Sequence, residues 1–195
     1  KISLDIQGVD VAVHSTVPHS SGLSSSAALE IALLRSLTQL HGLSLKPQEM
    51  AKIGQQIEHQ FVGTQCGIMD QMVSACGSIR QAIFLDCESL QTKSLPLFSN
   101  HTFIVIHSGS TRKLSRGSYN ERKEETTLAS KILNVPSLRY ASFDQINLIK
   151  DLTIRKRAKH IISENDRVIQ AASCLEENDA KKFGELMNLS HQSMR

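Results

Sequence analysis

Ile2, Leu4 and Ile6, and then Val9, Val11 and Val13, fall on alternate positions around Gln7-Gly8. A period of two marks an extended chain with one buried face, so the spacing predicts a β-hairpin over residues 2–17. Beyond Pro18 the pattern changes to a small-residue loop, His19 to Leu23, followed by Ile31, Leu34, Leu37 and Leu40 at helical spacing. A helix is expected to begin in Ser24-Ser25-Ser26 and to stop near Gly42. Lys46-Pro47-Gln48-Glu49 places proline near the first position of a second helix, with Met50, Ile53, Ile57 and Phe61 as its buried stripe. Gly63 and Gly67 then break the chain ahead of a short helix over 68–73, with Asp70 in its first turn. Alternation returns at 81–86, about 91–97 and 102–107, which read as strands of a sheet. From Leu114 the pattern is helical almost to Arg195, interrupted near Pro136 and around Asp151. The fold class expected is α+β, a sheet packed in layers against helices.

Composition narrows the function classes. At 195 residues, with 40% hydrophobic and 21% charged residues and only 10 glycines and 4 prolines, the chain can build a core and is neither low-complexity nor disordered. The formal charge of +3 is a mild basic bias that suits an anionic ligand. Its densest basic run, Arg155-Lys156-Arg157-Ala158-Lys159-His160, spreads around a helix without an aromatic stacking platform, so no nucleic-acid partner is expected. No run approaches the about 18 apolar residues of a membrane span, and no signal-peptide order opens the chain. Cys66, Cys76, Cys87 and Cys174 include no CxxC pair, which argues against a zinc site or a disulfide scaffold and for a reducing, cytoplasmic location. The chain opens on Lys1 inside an apparent strand and closes at Arg195 inside a helical pattern, so it is expected to be a piece of a longer protein.

Three segments carry candidate chemistry. The first runs from Pro18 to Ala28, a Gly- and Ser-containing loop feeding directly into a helix. Free N–H groups and the positive end of the helix dipole suit a phosphate there, although plain N-capping by serine fits the same pattern. There is no GxxxxGK[ST] and no GxGxxG, which removes support from the two common nucleotide folds. The second segment holds Glu58 and Asp70, twelve residues apart across the glycine break. One acid can hold Mg²⁺ while the other faces a substrate hydroxyl. On spacing alone a surface Glu and an Asp that complements a helix dipole are the more common arrangement. The third segment is His107 to Lys113 and then Gly117-Ser118-Tyr119-Asn120-Glu121-Arg122, where Tyr119 can bond a sugar hydroxyl or simply pack on the surface.

Taken together these segments resemble one family. Pro18-His19-Ser20-Ser21-Gly22-Leu23-Ser24-Ser25-Ser26-Ala27-Ala28 is similar to the PxxxGLSSSA phosphate loop of the GHMP small-molecule kinases, in the form galactokinases use. Val62 to Gln71 resembles the galactokinase VGxxCGIMDQ segment, Asp86-Cys87-Glu88-Ser89-Leu90 its DCRSL turn, and Gly117 to Arg122 its SEYNxRR segment. The four motifs stand in family order and the likeness runs from about residue 10 to Arg195.

The resemblance implies an α+β GHMP-kinase-like fold with its phosphate loop at a helix N-terminus, and ATP-dependent phosphorylation of the C1 hydroxyl of galactose. It implies that Ser20, Ser21, Gly22, Leu23, Ser24, Ser25 and Ser26 wrap the ATP phosphates. Ser26 and Glu58 would hold Mg²⁺, Asp70 would serve as the base, and Gly67, Asp70 and Tyr119 would contact the sugar. Phosphoryl transfer rests on positioning and charge neutralisation, which such a set can supply; whether Asp70 removes the proton or only orients the hydroxyl stays open. Residues 1–110 would form the central part of the N-terminal kinase domain, and 111–195 a mainly helical continuation into the C-terminal domain. A small-molecule sugar, no membrane and a monomeric state complete the expectation. Ser20 stands where the family usually has Gly, and His107-Ser108-Gly109 where Asn-Ser or Asp-Ser is common. The family's GRxNLIGEHxDY and TGGGFGG segments do not occur in the chain. Rival readings are a GHMP kinase for N-acetylgalactosamine, arabinose or a uronic acid, and a catalytically silent galactose and ATP sensor.

Overall fold

A computed structural model describes residues 8–19, 21–107, 109 and 116–195 of the chain. Helix α1 spans Ser25–Leu40 and ends at Gly42, whose φ of 64° is the left-handed conformation glycine tolerates. Helix α2, Pro47–Ile57, starts with proline at its first position, and Glu49 reaches back to the Lys46 N–H at 2.8 Å. A five-residue π turn, Glu58–Val62, extends α2, and α3 follows over Met69–Cys76. These three helices share one core of Ile31, Met50, Ala51, Ile68, Met72 and Ala75.

Strands β1, Gln81–Leu85, and β2, Thr92–Pro96, pair antiparallel with Gln81 opposite Pro96 and Leu85 opposite Thr92. In the turn between them Asp86 accepts the N–H groups of Glu88 and Ser89, each at 2.9 Å. Helix α4, Arg116–Ile132, leads through two 3₁₀ turns, Leu138–Tyr140 and Phe143–Leu148, to α5, Leu152–Glu176, and α6, Ala180–Ser193. Asp151 caps α5 by accepting from Thr153 and Ile154, which fixes the interruption expected there. A second core, including Ala129, Leu133, Ile146, Ile149, Ala158 and Ile162, joins α4, the 3₁₀ turns and α5. Leu95 and Phe98 meet Leu175 in a third, so the hairpin sits against the end of α5.

Arg139 ties the two halves of the chain at the surface. Its guanidinium binds Asp86 through both carboxylate oxygens, at 2.7 and 3.0 Å, and Glu88 at 3.0 Å, while the Tyr140 hydroxyl donates to Glu88 at 2.6 Å. Glu88 stands in the DCRSL-like turn where the family has arginine, and here it meets arginine from the other side.

Two expected strands are absent, and one expected helix face is turned. Residues 8–16 and 102–107 have no regular secondary structure; residues 1–7 of the expected opening hairpin lie outside the described residues. Alternation prepares a strand, but the ladder needs a neighbour for its N–H and C=O groups, and no described strand pairs with either segment. Val11 and Val13 are accordingly exposed, as are Ile104, Val105 and Ile106. In α2 the buried positions are Met50, Ala51 and Gly54, with Glu58 continuing the line, and Phe61 is 81% exposed. The face that packs is the small-residue face, because α1 and α3 approach there too closely for a large side chain. No described helix is long and apolar enough to cross a membrane.

Candidate active site

Ahead of α1 the chain passes through the left-handed region at Gly22, with φ 79°, and at Ser24, with φ 55°. Glycine adopts this freely, whereas for Ser24 it is a sparsely populated conformation of the kind found at ligand clamps. The Ser21 hydroxyl donates to the Pro18 carbonyl at 2.8 Å and closes the loop on itself. Ser24 is the N-cap of α1 but supplies no side-chain cap, and no acidic residue stands in the first turn. The plain N-capping alternative therefore loses its hydrogen bond, and the first N–H groups of a sixteen-residue helix face outward with the positive end of its dipole. Ser20, the departure from the family's glycine, lies outside the described residues.

Four residues beyond Ser26, on the same face of α1, Glu30 reaches α2 and α3. The Gln71 side-chain amide donates to Glu30 Oε2 at 3.3 Å, and Glu58 lies near enough for its charge to act on the Glu30 carboxyl. Gly54 makes this possible: a Cβ there would stand 3.0 Å from Gln71 Cγ and 3.2 Å from Glu30 Oε2. Glu58 is only 7% exposed and Gln71 2%, and Gln71 Oε1 has no partner among the described residues. Burial above all, with the Glu58 charge adding to it against the pull of the Gln71 amide, pushes the Glu30 carboxyl up to about 7. The same burial, followed by the Glu58 charge, raises the Cys66 thiol.

The loop between Glu58 and Asp70 is fastened on two sides. The N–H groups of Gly63 and Thr64 both donate to the Glu58 carbonyl, at 2.8 and 3.0 Å, closing the π turn. Such wide turns recur at functional sites because they displace a side chain from the regular helical phase. The Gln55 amide, at 3.1 Å, and His59 Nε2, at 2.9 Å, converge on the Cys66 carbonyl. From α4, the Tyr119 hydroxyl accepts the Gly67 N–H at 3.1 Å, and Asn120 accepts from Gln65 at 3.1 Å while donating to the Gly63 carbonyl at 3.4 Å. The loop delivers Asp70, half-buried, to the first turn of α3, where the helix dipole favours its negative charge.

The structure thus brings Gly67 and Tyr119 into contact, and sets Glu58 beside a residue one turn from Ser26. Glu30, Gln55, Gln71 and Asn120 receive no role from the sequence, and His59, next to Glu58, holds the Cys66 carbonyl. Gln71 and Asn120 stand inside the recognised strings and the others near them, but each acts through a contact between elements. Among the described residues no group of three or more His, Cys, Asp and Glu side chains is poised to hold a metal. The oxygen donors Ser26 and Glu58 are of the kind that suits a hard divalent cation completing its shell with substrate phosphates and water.

The α+β fold thus sets an uncapped helix start behind a Gly/Ser loop, with two carboxylates carried on the helices packed against it. Residues 1–78 match the family described as GHMP kinases N terminal domain. The structure is similar to that of Lactococcus lactis galactokinase complexed with galactose, with a TM-score of 0.79 and 33% sequence identity over 91% of this chain and 48% of that one. The chain spans about half the length of that relative; its fold is GHMP-kinase-like, and the two matches together support a galactokinase-like GHMP kinase fragment.

Proposed function

We propose that this chain carries the phosphate loop and base of an ATP-dependent sugar kinase that phosphorylates the C1 hydroxyl of galactose. The observation that supports it most is the start of α1: Gly22 and Ser24 turn the chain so that the first N–H groups of the helix stand uncapped, over a face that leads to Glu30 and Glu58. Ser21 to Ser26 take the phosphates of ATP, with Ser20 in the same loop. Asp70 accepts the proton of the attacking hydroxyl as its oxygen forms a bond to the γ-phosphorus and the bond to the bridging oxygen breaks, releasing ADP. Gly67 and Tyr119, joined to each other, form part of the sugar wall beside Asp70. Ser26 and Glu58 would hold Mg²⁺, which when bound neutralises charge on the phosphates. Residues 1–110 belong to the N-terminal kinase domain and 111–195 to the helical continuation into the C-terminal one.

The test is ADP release by the full-length gene product with Mg·ATP and a panel of galactose, N-acetylgalactosamine, arabinose and a uronic acid. Galactose alone should be turned over, and Asp70→Asn should lower kcat by about 10²–10⁴-fold with ATP binding retained. Turnover confined to another sugar would move the substrate within the fold. Bound ATP without turnover on any sugar would overturn the kinase reading in favour of a sensor, and an active Asp70→Asn would remove the base.

A further inference from the structure

We propose that Glu30 is a positioning residue of the divalent-cation site, bringing a second carboxylate to the side of α2 that carries Glu58 and so adding negative charge to the surroundings of the ion. The inference rests on the reading of Glu58 as a cation ligand and extends it to a residue outside the four motifs.

Geometry carries it. Ser26 and Glu30 lie four residues apart on α1, one turn along a single face, so a ligand held by Ser26 looks along the helix toward Glu30. Gly54 and Glu58 lie four residues apart on one face of the α2 segment, and the missing side chain of Gly54 leaves room for Glu30 Oε2, so Glu30 comes to the side of α2 that carries Glu58. Two carboxylates brought together in a buried setting repel each other when both are ionised, and a cation between or beside them relieves that repulsion.

A second observation lies beside it. Gln71 is 2% exposed and its Nε2 is used on Glu30, yet Oε1 of the same amide has no partner among the described residues. A buried amide oxygen without a donor is uncommon and costly, and the amide that carries it is the one bonded to Glu30, so a polar group drawn toward Glu30 would satisfy it. Glu30 therefore stands as an outer carboxylate whose charge raises the affinity of the site for the cation.

The test uses Mn²⁺ as the probe, titrated into the full-length gene product with ADP present, the bound ion being read from loss of the free ion's EPR signal. Glu30→Gln should weaken Mn²⁺ binding by about 10–100-fold, the usual effect of losing an outer partner, while metal-free ADP binding is unchanged. Glu30→Asp, which keeps the charge, should recover most of the loss. Gln71→Leu, which fills similar space without the amide that holds Glu30, should weaken Mn²⁺ in the same direction and carries the test should Glu30→Gln not fold. Glu58→Gln separates the two layers of the reading. Unchanged Mn²⁺ binding in Glu58→Gln would overturn the cation site itself. Weakened binding there with wild-type affinity in Glu30→Gln or in Gln71→Leu would overturn the role of Glu30 alone. Equal losses in Glu30→Gln and Glu30→Asp would assign the effect to packing and also overturn it.

Discussion

Gly54 lies inside α2, where glycine gives up about 0.8–1 kcal/mol of helix propensity relative to alanine. Replacing it with alanine should therefore stabilise the protein if only the helix mattered. The added methyl, however, would stand 3.0 Å from Gln71 Cγ, 3.2 Å from Glu30 Oε2 and 3.5 Å from Ile31 Cδ1. The first two distances are shorter than the about 3.5–4.0 Å at which carbon atoms pack comfortably, and both neighbours are held in the interface between α1, α2 and α3. Overpacking of this kind costs about 1–3 kcal/mol, which outweighs the propensity gain over most of its range. Gly184 supplies the control, since it too lies inside a helix, α6, but a Cβ there meets nothing within 4 Å. Gly184→Ala should raise the unfolding midpoint and Gly54→Ala lower it, so that the difference between the two variants reports the packing cost alone. Thermal unfolding followed by circular dichroism in EDTA reads that difference. A parallel Mn²⁺ titration should show weaker binding only for Gly54→Ala, because the displaced atoms belong to Glu30 and Gln71. A Gly54→Ala protein as stable as Gly184→Ala would refute the close approach of the three helices at this point.

Asn120→Ala removes two hydrogen bonds to the loop ahead of Asp70, worth about 1–3 kcal/mol together, and should raise KM for the sugar more than KM for ATP; equal changes in both would deny the loop a place on the sugar side. Arg139 holds the Asp86 carboxyl well below the usual carboxylate range, so its contribution is complete above about pH 4, where an unfolded aspartate is ionised, and fades as pH falls further. Arg139→Ala should accordingly destabilise most at pH 7 and least at pH 2–3 in urea unfolding, a gap of about constant size across pH arguing against the pair. Burial, followed by the Glu58 charge, raises the Cys66 thiol, so iodoacetamide at pH 8 should label it more slowly than an unburied thiol, and Glu58→Gln should speed the labelling, as read by peptide mass mapping.

The helices were legible because each closes its own hydrogen bonds and announces its ends in local residues: Pro47 at the start of α2, Gly42 after α1, Asp151 before α5. Residues 8–16 and 102–107 were not, since their alternation describes half of a pairing and the other half is not among the described strands. The candidate site divides the same way. Ser24 to Ser26, Asp70 and Tyr119 stand in recognisable strings and Glu58 just ahead of one, and Gln71 and Asn120 stand in the same strings, but these two, with Glu30 and Gln55, gain their roles only when three helices and the start of α4 converge. The face of α2 shows why this was hard to see. Following the largest apolar residues leads through Ile53 and Ile57 to Phe61, which is exposed, whereas the packed face runs through Ala51 and Gly54 to Glu58. A glycine within a helix, away from either end, carries a conformational cost that local structure does not repay, and close approach of other elements is the common reason for keeping it. Gly54 was thus a signal present in the sequence: it marks the side of α2 on which neighbours come nearest, and Glu58, one turn further along that side, is the acid it takes inside.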